Sequence, residues 1–288
     1  MTLRQALTQA SNQISVNSDL RADAQRDAEL LLLHVLHIDR ATLLAHPDRM
    51  LTAEQLAAYQ AVIQRRLGSE PIQYITGEQE FFGLRLKVTP ATLIPRPETE
   101  HLVEAVLERV PHDRPVDILD VGTGTGAIAL ALAAHLPLAR LTAVDLSAAA
   151  LAVARENASS HELDHRIRFY WSDLLETLAP EKQKAAFDAI VSNPPYIPER
   201  DRAELHPQVR DHEPGQALFA GPTGLDIYRR LIPQAYAALK PGGLLALEIG
   251  HGQSEALSGL LTTWQDLTLV ADLQQIPRVV LARKQSKS

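Results

Sequence analysis

The segment Ser192-Asn193-Pro194-Pro195-Tyr196-Ile197 carries the residue types best suited to chemistry. It follows an apolar run that is typical of a buried strand. Pro194 and Pro195 cannot donate to a sheet ladder, so the chain must leave the sheet at Asn193 in a rigid shape. Asn193 and the Pro194 carbonyl then offer hydrogen-bond acceptors beside the flat ring of Tyr196. This arrangement suits a planar amide or amino group, although a proline-rich loop with a capping asparagine would have the same sequence.

Further polar groups follow the other predicted strands. A glycine loop, 122–126, comes after the first strand, and Asp145 and Asp173 come after the next two. Ligands of doubly wound sheets bind beyond the carboxyl ends of the strands. The glycines let the backbone approach a ligand closely, Asp145 could accept from ribose hydroxyls, and Asp173 could accept from an adenine amino group. Together these residues predict a nucleoside pocket. No Gly-Lys-Ser/Thr follows the glycines, which disfavours a phosphate site.

One motif points to different chemistry. Residues His161 to His165 match the H-E-x-x-H spacing of zinc enzymes. That spacing needs a helix to bring both imidazoles to one face, whereas here it lies in a short connection before a predicted strand. We therefore predict no metal site.

The elements that position these residues alternate between strand and helix from residue 116 onward. This order is typical of an α/β, Rossmann-like fold with a mostly parallel, seven-stranded sheet and helices on both faces. Strands are predicted at 116–121, 141–144, 167–170, 187–193, 244–249, 267–271 and 278–281. Helices are predicted at 127–135, 147–159, 223–239 and 253–264, and the glycines and proline at 240–243 are expected to stop the third of these helices.

The chain before this region has a different pattern. Residues 1–75 show helical periodicity and predict a small helical domain for substrate recognition. Residues 76–92 alternate around Gly83 and predict a β-hairpin linker, and residues 93–288 form the predicted catalytic domain. In the first turn of that domain's first helix, Glu98 and Glu100 have a purely structural explanation, since acidic residues there favour the helix dipole.

Composition narrows the class of protein. Of 288 residues, 45% are hydrophobic and 22% are charged, as in ordinary globular proteins, and there is no cysteine for disulfides or thiolate metal sites. The net charge of -7 argues against a protein that binds duplex DNA through its phosphates. With no apolar run of membrane length and no signal peptide, we expect a cytoplasmic protein without membrane contact, most simply a monomer.

The motifs together resemble a known class. GTGTG after a strand, an acidic end to the second strand and NPPY after the fourth resemble class I S-adenosylmethionine-dependent N-methyltransferases. More specifically, LIPRPETE at 93–100, with the helical N-terminal region, resembles the release-factor glutamine methyltransferases, the HemK/PrmC family, over nearly the whole chain. The resemblance implies methylation of the side-chain nitrogen of glutamine in the Gly-Gly-Gln (GGQ) motif of class I peptide chain release factors.

The resemblance also implies roles for individual residues. The residues implied to contact S-adenosylmethionine, whose product is S-adenosylhomocysteine, are Gly122, Thr123, Gly124, Thr125, Gly126, Asp145, Asp173, Leu174 and Asn193. Those implied to bind the glutamine are Asn193, Pro194, Pro195 and Tyr196, and of these Asn193, Pro194 and Tyr196 are the implied catalytic residues. Some relatives carry an aromatic residue where this chain has Leu174, so either Leu174 or Trp171 is expected to pack on the adenine.

Several alternatives stay open at this point. NPPY is shared with adenine-N6 methyltransferases, and a sister activity modifies a glutamine of a ribosomal protein. The acidic charge and the lack of a basic recognition helix disfavour a nucleic-acid substrate. A non-catalytic module that binds S-adenosylmethionine or NAD would leave SNPPYI without a role.

Overall fold

The computed structural model describes residues 1–178 and 184–286, and the chain divides into two compact units. The first unit comprises Met1–Glu78 together with Glu204–His212, and the second comprises Gln79–Ala203 together with Glu213–Ser288. The first unit is therefore built from two distant stretches of chain. The domain boundaries expected from sequence, at residues 75 and 92, stay a prediction. They would place residues 204–212 in the catalytic domain.

The first unit is helical, as the periodicity predicted. Its longer stretch contains α1 (Leu3–Ile14), α2 (Ala24–Leu36), α3 (Arg40–Ala45), α4 (Ala53–Leu67) and α5 (Ile72–Thr76). Capping boxes begin α1 and α4, where Thr2 pairs reciprocally with Gln5 and Thr52 with Gln55. Apolar faces of these helices share one core.

Polar contacts complete this unit. A buried ion pair joins Arg66 of α4 to Asp27 of α2, with Nε and Oδ2 2.7 Å apart. The stretch Glu204–His212 contains the short helix α9 (Pro207–Arg210), in which Gln208 accepts from Arg66 Nη2 at 3.3 Å. The His212 ring hydrogen-bonds the Gly68 carbonyl at 3.0 Å. The second stretch thus satisfies polar groups at the end of α4.

The second unit is built on a seven-stranded sheet, preceded by a hairpin of β1 (Glu78–Phe81) and β2 (Leu84–Lys87). The sheet strands are β3 (Asp117–Val121), β4 (Arg140–Asp145), β5 (Ile167–Trp171), β6 (Phe187–Ser192), β7 (Leu239–Glu248), β8 (Gln265–Ala271) and β9 (Pro277–Arg283). The helices are α6 (Pro97–Leu107), α7 (Ala127–His135), α8 (Ala148–Ser160), α10 (Asp226–Ala238) and α11 (Ser254–Leu260). The Rossmann-like fold class predicted from sequence is confirmed.

The order of the strands determines where a ligand can bind. The sheet runs β5-β4-β3-β6-β7-β9-β8, and β9 is antiparallel to both of its neighbours, β7 and β8. The chain moves outward from β3 to β5 and then returns to β6 on the other side of β3. Val121 is paired with Ser192, so β3 and β6 end side by side. This switch point is where doubly wound sheets open a ligand cleft.

Two sequence predictions around β7 are wrong in their bounds. The strand begins at Leu239, not at Leu244, because Leu239 pairs with Phe187 and the antiparallel neighbour continues past the glycines through Lys284. An irregularity in β7, which advances from Leu239 to Leu244 while β6 advances only from Phe187 to Ala189, and the left-handed conformation of Gly242, with φ of +73°, carry the strand through residues expected to break it. The preceding helix, α10, accordingly ends at Ala238.

Candidate active site

The glycine loop after β3 forms the floor of a cavity. Gly122 and Gly124 have φ of +73° and +55°, and a Cβ at either position would meet no atom within 4 Å. The backbone conformation therefore favours glycine at these two positions, and the space beside them is open. At Gly126 a Cβ would lie 3.2 Å from Leu130 Cδ1 and 3.3 Å from Ala154 Cβ. Gly126 thus permits close packing of α7 on α8, and it is not among the described residues that line the cavity.

Two buried side chains fix the shape of this loop. Asn157 of α8 donates from Nδ2 to the Thr125 carbonyl at 2.9 Å, and it is also bonded to the backbone of Lys87 in the hairpin. Asp120 Oδ2 accepts from the Thr123 hydroxyl at 2.6 Å. Asp120 Oδ1 has no partner among the residues described, and burial raises the pKa of this carboxyl to about 7.

Asp145 closes one side of the cavity at the end of β4. Its Oδ2 accepts from the Gly124 amide at 2.8 Å, and its Oδ1 accepts from the Ser147 amide at 2.8 Å. Burial raises the pKa of this carboxyl. Each oxygen can accept a second bond, so the carboxyl is suited to a pair of ligand hydroxyls.

The end of β5 contributes the next wall. Asp173 and Leu174 line the cavity, and Asp173 Oδ2 also accepts from Arg230 Nη2 at 2.7 Å. Leu174 has φ of +50° and packs against the core. Trp171 is half-exposed, donates to the Leu146 carbonyl at 2.7 Å and is not among the lining residues described. Of the two side chains expected to pack on adenine, Leu174 is therefore the one that borders the cavity.

The opposite wall is the chain that leaves β6. Asn193, Pro194 and Pro195 line the cavity. The Ser192 hydroxyl donates to the Val121 carbonyl at 2.6 Å and ties this exit to β3. Asn193 Nδ2 donates to the Thr99 hydroxyl at 3.1 Å, which leaves the carboxamide oxygen as the group for a ligand.

Tyr196 is held in place by contacts with Gln253 and Glu248. Its carbonyl accepts from Gln253 Nε2 at 2.9 Å, and its hydroxyl lies 3.4 Å from Glu248 Oε1. A Cβ on Gly250 would lie 2.9 Å from Tyr196 Cδ2, so the ring needs a glycine there. Burial raises the pKa of the Tyr196 phenol, which therefore stays protonated. Tyr196 itself is not among the described lining residues.

Sequence reasoning missed several residues that support this wall. Thr99 and Glu248 are buried, and burial raises the pKa of the Glu248 carboxyl to about 7. Glu213 accepts from the Ile94 amide at 3.1 Å and from Arg96, which orders the segment that borders the cavity. One signal was available, because Glu248 is a lone acid at the end of an otherwise apolar predicted strand.

The structure therefore brings most of the predicted residues to one cavity. Those that line it are Gly122, Thr123, Gly124, Thr125, Asp145, Asp173, Leu174, Asn193, Pro194 and Pro195. Their assigned roles stay predictions. Helix α8 ends at Ser160, so His161 and His165 do not share a helix face. Within the described residues, no three His, Asp or Glu side chains are grouped to hold a metal ion, and no helix is both long and apolar enough to cross a membrane.

The fold and the site define a class I methyltransferase. A solved relative in fold is the T. thermophilus 16S rRNA N2 G1207 methyltransferase RsmC, in complex with AdoMet and guanosine. It is 24% identical with a TM-score of 0.52, over 72% of this chain and 50% of that chain, and it shows the fold alone. The PrmC N-terminal domain family matches residues 5–77, and the methyltransferase small domain family matches residues 99–208.

Sequence relatives narrow the class. The release factor glutamine methyltransferase of Koribacter versatilis is 46% identical over 99% of both chains, and that of Coxiella burnetii is 41% identical, again over 99% of both. The chain belongs to the family of release factor glutamine methyltransferases.

Proposed function

We propose that the protein transfers a methyl group from S-adenosylmethionine to the side-chain amide nitrogen, N5, of the glutamine in the GGQ motif of class I peptide chain release factors. S-adenosylhomocysteine is the second product. Membership of the family and the cavity at the switch point support this proposal. Its place of action is the cytoplasm, where release factors work.

The residues of the cavity fit S-adenosylmethionine. The open space over Gly122 and Gly124 receives a ligand against the bare backbone. Asp145 accepts from the ribose hydroxyls, Asp173 accepts from the adenine amino group, and Leu174 provides an apolar surface for the ring. When bound, the cofactor supplies a methyl group that its sulfonium has already activated.

The observation that carries the proposal is the orientation of Asn193 at the end of β6. An amide nitrogen is a poor nucleophile, so the protein must contribute chiefly orientation, which can lower a barrier by roughly 7–11 kcal/mol. With its Nδ2 bonded to Thr99, Asn193 has its carboxamide oxygen left for a ligand, and Pro194, with a carbonyl of its own, lines the same cavity. These two oxygens accept the two N–H groups of the substrate glutamine and aim its lone pair at the methyl group.

Tyr196 packs on the amide plane and excludes water. Because its phenol stays protonated, Tyr196 does not act as a base. The amide nitrogen releases its proton to solvent after the methyl group has been transferred, and this step needs no dedicated base.

The test is methyl transfer from labelled S-adenosylmethionine to recombinant release factor, followed by peptide mass mapping. We expect one methyl group on the glutamine of the GGQ motif, and none on a release factor in which that glutamine is replaced. Asn193→Ala is expected to reduce transfer by at least about a hundredfold, since orientation is the main contribution. Near-normal turnover by this variant would exclude the assigned role of Asn193.

The other outcomes correspond to the open alternatives. Label in a ribosomal protein, but not in release factor, would indicate the sister activity. Label in DNA or RNA alone would overturn the choice of a protein substrate.

A further inference from the structure

Arg96 is the only cationic side chain among the described residues that line the cavity. The two anionic ones, Asp145 and Asp173, are assigned to the ribose and the adenine, whereas Arg96 has no ligand group assigned to it. Its side chain is 30% exposed. A guanidinium that borders a ligand cavity attracts an anionic group of the ligand. Arg96 is therefore a candidate to bind a part of the ligand for which no other residue accounts.

The backbone around Arg96 is fixed on both sides. Arg96 lies between Pro95 and Pro97, and Pro97 is the first residue of α6. The two proline rings restrict the local backbone. Glu213, whose side chain is only 1% exposed, accepts from the Ile94 amide through Oε2 at 3.1 Å. The base of the Arg96 side chain is therefore held in one place.

The carboxylate of Glu213 also orients the guanidinium. Arg96 Nη2 donates to Glu213 Oε1, and within the described residues this is the only hydrogen bond of the guanidinium. A guanidinium has five N–H donors, and two of its edges can each bind a carboxylate through two parallel bonds. The bond to Glu213 occupies one Nη2 hydrogen, so one edge stays available. Arg96 is thus oriented by one carboxylate and can bind a second.

Arg96 lies at the end of the cavity where the proposed function places the methyl group. The Thr99 amide donates to the Arg96 carbonyl at 3.0 Å, and the Thr99 hydroxyl accepts from Asn193 Nδ2 at 3.1 Å. Arg96 is therefore one helical turn from the residue that contacts Asn193. The methyl group and the methionyl chain of S-adenosylmethionine are attached to the same sulfur atom. With the methyl group at Asn193, the methionyl chain begins in the part of the cavity that Arg96 borders.

We infer that Arg96 binds the α-carboxylate of the methionyl part of S-adenosylmethionine. This carboxylate is the one anionic group of the cofactor, and paired bonds from a guanidinium to a carboxylate are among the strong hydrogen bonds of proteins. The inference rests on the proposed function and deepens it, because it assigns the part of the cofactor that Asp145, Asp173 and Leu174 leave unassigned. Arg96 holds the methionyl chain and makes no contact with the methyl group.

The test compares two ligands on two proteins. Decarboxylated S-adenosylmethionine keeps the adenosine, the sulfonium and the amino group but lacks the carboxylate. In calorimetry, the wild type should bind S-adenosylmethionine at least about tenfold more tightly than the decarboxylated form. Arg96→Met, which keeps an unbranched side chain without the charge, should bind the two ligands within about threefold of each other. Each ratio is measured within one protein, so a general weakening of the cavity cancels.

Two further variants exclude other causes. Arg96→Met leaves Glu213 without its cationic partner, and an unpaired carboxylate would itself repel the carboxylate of the ligand. The double variant Arg96→Met with Glu213→Gln has no charge at either position and should also lack the preference. A return of the wild-type preference in the double variant would overturn the inference. Arg200→Met removes a guanidinium that is 75% exposed in the same compact unit, and it should keep the wild-type preference.

The outcomes distinguish this inference from the proposed function. An unchanged preference for the carboxylate in Arg96→Met would overturn the inference, even if the wild type methylated release factor normally. A raised KM for release factor in that variant would then assign Arg96 to the protein substrate. No methyl transfer to release factor by the wild type, with the preference lost in Arg96→Met, would overturn the proposed substrate and support the inference.

Discussion

Gln253 fixes the backbone of Tyr196. Its Nε2 donates to the Tyr196 carbonyl at 2.9 Å, while its Oε1 accepts from the Gly250 amide at 2.9 Å. The last residue of NPPY is thereby joined to the start of α11. The position of Tyr196 depends on contacts made 57 residues further along the chain.

A methyl group on Gly250 should disturb this arrangement. A Cβ at this position would lie 2.9 Å from both Gln253 Oε1 and Tyr196 Cδ2, which is closer than real contacts allow. We expect Gly250→Ala to lower methyl transfer by about tenfold or more, since small displacements of positioned groups are costly. Gly259→Ala is the matched control, because a Cβ there meets nothing within 4 Å and the residue lies inside α11. Wild-type activity in Gly250→Ala would contradict the role of this contact.

Asp145 should govern affinity for the cofactor. Both of its oxygens are oriented by backbone amides, so Asp145→Ala removes two prepared acceptors. Each hydrogen bond to a charged group contributes about 1.5–3 kcal/mol, and we expect S-adenosylmethionine to bind at least tenfold more weakly in calorimetry. Asp113→Ala, in an exposed loop, should bind as the wild type does.

Asp120 should make the cofactor-free protein less stable as the pH rises. Its folded pKa, about 7, lies above the ordinary value for an aspartate, so the folded state holds its proton more tightly than the unfolded state does. This contribution to stability is complete below the unfolded pKa and is lost as the pH rises through 7. Asp120→Asn removes the titration. The free energy of unfolding of this variant, relative to that of the wild type, should increase by on the order of 2 kcal/mol between pH 5 and pH 8.

Chemical denaturation at several pH values measures this change. Asp39→Asn is the control, because Asp39 caps α3 at the surface and its pKa is lowered by its bonds to Thr42. Asp39 is ionised in both states throughout this pH range, so the difference between that variant and the wild type should stay constant. A constant difference for Asp120→Asn as well would show that Asp120 does not titrate there.

Removing one partner of the buried ion pair in the helical unit should strongly lower the free energy of unfolding. Asp27→Ala leaves the Arg66 guanidinium buried, with only 6% of its side chain exposed and no carboxylate partner. We expect a loss of about 3–5 kcal/mol in the free energy of unfolding. Asp48→Ala removes the exposed pair with Arg4 and should cost at most about 1 kcal/mol. Equal losses in the two variants, measured by denaturation, would refute the distinction.

The sequence predicted the residues that end strands. Alternation of strand and helix implies a parallel sheet, and the carboxyl ends of its strands share one edge, so Asp145 and Asn193 could be assigned to one site. The Thr99 contact could not be assigned, because it lies 94 residues from Asn193 and depends on where α6 packs. At 240–243 local chemistry was misleading, since backbone hydrogen bonds of Gly242 and Gly243 with Lys284 continue the strand despite the preference of glycine and proline for a turn.

The helical unit has a consequence for synthesis. A ribosome releases α1 to α5 early, but the stretch Glu204–His212, which completes the unit, emerges only after β6 has been made. Until then Arg66 lacks its contact with Gln208, and the Gly68 carbonyl lacks the His212 ring. The N-terminal helices therefore lack these contacts for much of translation. A gene fragment that stops at residue 78 encodes the unit without its second stretch.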